Sequence, residues 1–329
     1  MLTCVEFAYH RLARTAPGYR WWKQIVAGLI ALGFFIGFTI VLVVLLLAST
    51  ILFPEVRPVI TKLITTGVID NSLPVVLAFS LLSIAVILPS VLLARRILGP
   101  RPVGLLSSVA GRVRWHWMSR LILPVFIAYG LSTLFSVVLL PLLAGEAVPS
   151  ASVGPDTGIV VLVAVLLVPL QATAEEYFFR GYLAQTIGGW MRHPVFAILL
   201  PVPLFTIGHQ YDIWGLIDVS VFAVVAGWLA WRTGGLEASI VAHVVNNTVI
   251  FVIGAFGLVD VNSKTGNGVE VLVSTLTLAL YAWLVVRAAR RFGLVRVRAV
   301  PPPLLPPLPD PAPRVLAADR PSGDDGARG

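Results

Sequence analysis

GIVVLVAVLLVPLQATAEEYFFRG, residues 158–181, starts as the first half of a membrane crossing and then turns acidic and basic before the chain has had the length to leave the lipid. Ionisable groups at mid-bilayer cost about 2.5–3.5 kcal/mol each on insertion scales, so they face the interior of a bundle, where they are paired or functional. Glu175, Glu176 and Arg180 therefore mark a crossing whose polar end is held by other crossings.

The rest of the chain supplies them. Of 329 residues, 57% are hydrophobic and 12% charged, with a mean hydropathy of +0.91. Soluble domains are about a quarter charged. The composition is that of an integral membrane protein. A crossing needs about 20 apolar residues, and the hydropathy pattern predicts spans at 25–49, 73–94, 121–144, 159–180, 195–214, 215–232, 236–257 and 268–287. The fifth is interrupted by Pro201 and Pro203, with His209 and Asp212 near its end. The first apolar run is far longer than a signal-peptide core and is expected to remain as a helix. The single cysteine, Cys4, has no partner for an internal disulfide.

Eight spans place both termini on one side, and the positive charges choose which. Arg11, Arg14, Arg20 and Lys23 precede the first span, while Arg95, Arg96, Arg101, Arg112, Arg114 and Arg120 fall between the second and third. Arg192, Arg232 and five arginines from Arg287 to Arg298 continue the series. The other side holds only Arg57, Lys62 and Lys264. Both termini are thus expected in the cytoplasm. The expected organisation is a cytoplasmic arm over 1–24, a membrane domain over 25–291 with its polar core at about 159–257, and a proline-rich, disordered cytoplasmic tail over 292–329. PPPLLPPLPDPAP, from Pro301 to Pro313, suits extended polyproline II. It is either a solvated tail or a ligand for an SH3-like partner.

The spacing of the polar residues constrains how they meet. Glu176 and Arg180, four apart, share a helix face and can pair. Glu175 points about 100° away and stays free to handle protons. His243 and Asn247 project from one face, and Asn246 is expected to point elsewhere. At about 1.5 Å per residue, His209 lies about 20 Å along its helix from Pro194. Glu175 reaches a similar depth only if its helix continues past Arg180 to about Trp190 or bends at Gly181. Each feature alone is as consistent with an ion pair or a packing residue; together they point to one pocket.

Two carboxylates, two imidazoles and an amide suit hydrolysis of an acyl bond. No G-x-S-x-G motif and no cysteine near these residues offers a nucleophile, so a water must attack. Glu175 is the expected base and His209 orients the water. His243 and Asn247 are placed to donate to the developing oxyanion. A zinc set of Glu175, His209 and His243 is the other reading of the same atoms, although the H-E-x-x-H spacing is absent. A non-catalytic scaffold and a proton-coupled transporter are alternatives of other classes, and no inverted repeat supports the transporter.

E-E-x-x-x-R at 175–180, F-x-x-x-H at 205–209 and H-x-x-x-N at 243–247 resemble the three ordered motifs of the CAAX prenyl endopeptidase and bacteriocin-processing (CPBP, ABI) family of intramembrane proteases. The likeness covers about 73 residues. It implies an eight-helix core with a site reached from the cytoplasm, with Glu175 and His209 activating water and with His243 and Asn247 as the oxyanion hole. Glu176, Arg180 and Phe205 would support them. The family has been described both as metal-dependent and as glutamate-dependent, so the resemblance leaves the cofactor open. It implies a bilayer and a peptide or protein substrate, in some members lipid-anchored, and no nucleic acid. Arginine outnumbers lysine 21 to 3, a bias of GC-rich genomes that suggests a bacterial cell membrane and a context such as bacteriocin maturation or immunity.

Overall fold

The computed structural model describes residues 4–301; the rest of the proline-rich tail lies outside the described residues. Eight helical stretches carry the membrane domain: α1 Trp21–Leu52, α2 Pro74–Leu98, α3 Trp115–Leu143, α4 Thr157–Trp190, α5 Pro194–Ile207, α6 Ile213–Thr233, α7 Glu237–Ala255 and α8 Gly268–Arg291. Seven of them are long and apolar enough to cross a membrane; α5 is not. The protein is an all-α, multi-pass integral membrane protein.

β1, Val5–Ala8, pairs antiparallel with β2, Val297–Val300. β2 extends ordered structure into the segment 292–329 assigned to the tail. Since β1 precedes α1 and β2 follows α8, the pairing puts both chain ends on one face. The same face gathers the arginine-rich loops. Arg14 Nε donates to Gly189 O at 2.7 Å, and Arg114 Nη1 donates to the carbonyls of Thr233 and Val295 at 3.1 Å each. The connections at the opposite face are joined to one another too. Asn71 N donates to Asn262 Oδ1 at 2.8 Å, Asp212 N to Lys264 O at 2.8 Å and Ser152 N to Phe256 O at 2.8 Å.

The chain therefore passes from Arg192 on one face to Asp212 on the other, and the fifth predicted span, 195–214, does traverse the bundle. It does so without a full helix. α5 is interrupted between Leu199 and Pro201 and stops at Ile207, so it spans about 21 Å against a hydrocarbon core of about 30 Å. Residues 208–212 finish the passage as non-helical backbone. At membrane depth such backbone is tolerated only inside protein or beside a cavity.

α4 is the long one. The predicted span 159–180 extends to Trp190, and Tyr177–Leu183 within it is π-helical. A π segment inserts extra backbone per turn and rotates the downstream turns about the axis without ending the helix. In α2 the break at Val86 precedes Pro89, which has no N–H for the Ala85 carbonyl.

Lipid is as apolar as a leucine, so helices in a bilayer associate through close packing of small side chains more than through the hydrophobic effect. Ala27 and Ala31 on α1, Ala164, Ala172 and Ala174 on α4, Ala226 and Ala230 on α6, and Ala238 and Ala242 on α7 are buried accordingly. Leu29, Ile36, Ile40 and Leu45 of α1 face outward, which suits a peripheral helix in contact with lipid. The turn from α6 to α7 needs Gly234 in a left-handed conformation (φ 73°), where a Cβ would also lie 2.8 Å from the Arg296 backbone.

Candidate active site

α4, α5 and α7 bring the three sequence motifs together. Glu176 Oε1 accepts from Arg180 Nη1 at 2.9 Å, one helical turn on. His243 Nδ1 lies 2.9 Å from the same oxygen, and its Nε2 lies 3.3 Å from Glu175 Oε2. One imidazole thus bridges both glutamates. The two carboxylates diverge by about 100° along α4, and α7 places a ring between them that touches each. Glu176 is 0% exposed, His243 4% and Glu175 8%.

Proton counting limits what this bridge can be. A carboxylate accepts, so His243 Nδ1 carries the hydrogen facing Glu176. At Nε2 the second contact needs one further proton, on the imidazole or on Glu175. With Arg180 positive, either placement leaves the four groups electrically neutral. The Glu175–His243 contact therefore holds one transferable proton.

Gln171, one turn before Glu175, is a residue that the motifs did not single out. Its Nε2 donates to Glu175 Oε2 at 2.9 Å, and its Oε1 accepts from Asn247 Nδ2 at 3.3 Å. It fixes the Glu175 carboxylate and the Asn247 amide in one frame. The i, i+4 spacing to Glu175 was the signal available for it. Asn246, expected to point elsewhere, donates to Asn247 Oδ1 at 3.1 Å and lines the same cavity. Its shared place follows from neighbouring amides bonding to each other, which face geometry alone does not anticipate.

His209 sits where α5 has ended. Its Nδ1 donates to the Phe205 carbonyl at 2.9 Å, which satisfies one of the orphan acceptors of the helix end. That bond fixes the neutral tautomer and leaves Nε2 as an acceptor. Phe205 explains the F-x-x-x-H spacing. Its ring meets His209 at 4.9 Å and His243 at 6.2 Å between centroids, and the Arg180 guanidinium lies 4.2 Å from its centre. A cation over a ring face is attracted by the ring quadrupole, so Phe205 ties α5 to the Glu176–Arg180 pair.

Glu175, His209 and His243 do not form a metal-binding set as placed. Among the described residues no three His, Cys, Asp or Glu side chains are arranged to hold a metal ion, and both nitrogens of His243 face carboxylates.

A cavity of about 600 Å³ ends on His209, His243, Asn246, Asn247 and Phe222. Its remaining walls come from α3, α6 and α8 and from connections at the face opposite the termini, including Asn71, Pro149, Tyr211 and Lys264. No described lining residue belongs to the connections on the terminal face. Access from the same side as the termini, which the resemblance combined with the charge pattern predicts, is therefore corrected: the open route leads to the other face. The reason is local. On the terminal side Arg180, Tyr177, Leu236 and Glu237 are buried, and Glu237 Oε2 pairs with Arg114 Nη2 at 2.7 Å.

Residues 157–249 match the family model described as type II CAAX prenyl endopeptidase Rce1-like. The matched region holds all three motifs. The chain is also 36% identical over 91 residues to the uncharacterized protein YyaK of Bacillus subtilis (strain 168), an overlap of 26% of this chain. That overlap spans 30% of the relative's length. No solved structure matches the chain.

Proposed function

We propose that the chain is an intramembrane endopeptidase that hydrolyses peptide bonds of membrane-associated or hydrophobic peptides with an activated water. The observation that carries this reading is His243, which lines the cavity floor and bridges Glu175 and Glu176 just behind it, inside the region that matches the CAAX endopeptidase model.

Water bound between Glu175 Oε1 and His209 Nε2 gives a proton to the carboxylate as its oxygen attacks the scissile carbonyl. The carbonyl oxygen becomes an oxyanion, met by His243 Nε2–H as it turns away from the newly protonated Glu175, and by the Asn247 amide once it leaves Gln171. Glu175 then returns the proton to the leaving amine as the C–N bond breaks, so base and acid are one residue. Oxyanion donors of this kind contribute about 10²–10³-fold each. Glu176 and Arg180 hold His243 in place and do not touch substrate.

The positive-inside pattern puts the terminal face in the cytoplasm. Substrate then enters from the opposite face of what we take to be a bacterial cell membrane, or laterally between helices that border the cavity.

The test compares wild type with Glu175→Gln on a quenched, membrane-anchored peptide library. Loss of about 10²–10⁴-fold in cleavage is expected. Equal cleavage by both forms removes Glu175 as the base. Cleavage by neither form, in protein that remains folded, favours a scaffold role. Cleavage abolished by a chelator, with stoichiometric zinc in the purified protein, would reassign the chemistry to a metal.

A further inference from the structure

One polar cluster part-way up the cavity wall has no role in that chemistry. Asp218 lies on α6, one turn nearer the mouth than Phe222, whose ring meets His243 at 4.9 Å. Asp218 Oδ1 is closed off from solvent and has no hydrogen-bond partner among the described residues. On α3, another wall of the same cavity, Tyr129 is 7% exposed, and its hydroxyl is likewise without a partner among the described residues. Both residues line the cavity. Ser274 of α8 faces the same carboxylate.

The set is made of oxygens, with one formal negative charge and an unused acceptor. Its complement is a cationic group with several N–H donors. The chain does not provide one. Lys264 is the sole lysine or arginine among the described lining residues, and it stands at the exposed rim with Nζ 3.3 Å from Gln210 Oε1. Glu270 adds negative potential nearby, while its carboxylate accepts from Asn267 N at 3.2 Å to cap α8. A carboxylate left unpaired at this depth is unfavourable, and an incoming cation removes that cost.

The spacing suggests what carries the cation. One turn of α6 separates Asp218 from the level of His243, about 6 Å, and an extended peptide advances about 3.3 Å per residue. We propose that Asp218 and Tyr129 form a subsite for a lysine or arginine side chain of the peptide substrate, two to three residues from the scissile bond. This rests on the peptidase reading and narrows it to peptides with a basic residue beside an apolar segment.

Two measurements on the full-length protein in lipid nanodiscs test it. In the first, a quenched peptide carrying lysine at each position in turn is compared with its norleucine counterpart. Wild type is expected to favour lysine at one position by on the order of tenfold in kcat/KM. Asp218→Asn should abolish the preference, Asp218→Glu retain part of it, and Tyr129→Phe weaken it. A flat wild-type profile, or one that Asp218→Asn leaves intact, overturns the subsite while the peptidase reading stands.

The second measurement uses the Glu175→Gln protein and reads binding of the same peptide pair by the fluorescence of Trp214, which lines the cavity. A lysine peptide bound about tenfold tighter, with the difference lost on adding Asp218→Asn, supports the subsite whether or not wild type cleaves anything. Equal binding of the two peptides overturns it. Failure of cleavage and failure of this subsite are thereby separate results. Should Asp218→Asn not fold, the Asp218→Glu and Tyr129→Phe forms decide.

Discussion

Glu175 and Glu176 are neighbours in sequence with different electrical surroundings. Glu176 accepts from a guanidinium and an imidazole N–H and is sealed from solvent, whereas Glu175 faces one imidazole and one amide and keeps Oε1 clear of protein hydrogen bonds among the described residues. This asymmetry is what the proposed division between a structural anion, Glu176, and a base, Glu175, rests on. Removing Arg180 should therefore act on stability first. Breaking a buried pair leaves an uncompensated charge and costs about 3–5 kcal/mol; His243 remains as a second partner, so Arg180→Ala belongs at the lower end of that range. Arg180→Lys keeps the charge but loses the planar contact over Phe205 and should recover only part. Thermal unfolding in detergent measures both, and an Arg180→Ala protein that melts with wild type would mean that Glu176 is held by other means.

Helix ends and helix junctions carry the next level of the design. α5 stops short of the far face, and the backbone that completes the crossing delivers His209 to the cavity. On the terminal side, α1, α2 and α4 are locked by one residue. Arg95, counted from sequence among the loop charges, lies in the last turn of α2 at 1% exposure. It donates to Gln24 Oε1 at 3.1 Å and to Gln185 Oε1 at 2.8 Å. Arg95→Ala leaves two buried acceptors unpaired and is expected to destabilise by about 2–4 kcal/mol. Combining it with Gln24→Leu and Gln185→Leu should restore part of the loss, because the orphaned acceptors go too. Additive losses in that thermal-melt series would show that the three side chains do not act as a unit.

At the scale of the whole molecule, two faces differ in charge and in access. Chain ends and arginine-rich connections share one face, while the cavity opens to the other. Cys4, exposed and beside β1, marks the terminal face. A membrane-impermeant maleimide should label Cys4 only in inside-out vesicles. In a Cys4→Ser background, Thr265→Cys at the cavity mouth should label only in right-side-out vesicles. Labelling of both from one side would contradict either the shared face of the termini or the direction of the cavity.

Much of this architecture was readable along the chain. Seven long helices come directly from apolar runs of sufficient length, because lipid forces every backbone polar group to bond within its own segment. The i, i+4 pair Glu176–Arg180 and the three-span convergence followed from helical spacing and from how unfavourable isolated buried ions are. Other features had little or no linear signal. The reach of α4 past Arg180 depends on a π segment that hydropathy does not encode, and the roles of Gln171 and Arg95 depend on partners up to 90 residues away.

What the sequence determined by itself was the seven long apolar helices, their polar interior and the glutamates and histidine that meet there, since spacing and desolvation are local properties. Tertiary structure alone decided that one imidazole touches both glutamates and that the cavity opens away from the chain termini. Those outcomes depend on how tilted, broken and π-bulged helices sit against one another, and packing of that kind is a relation between segments that no single segment contains.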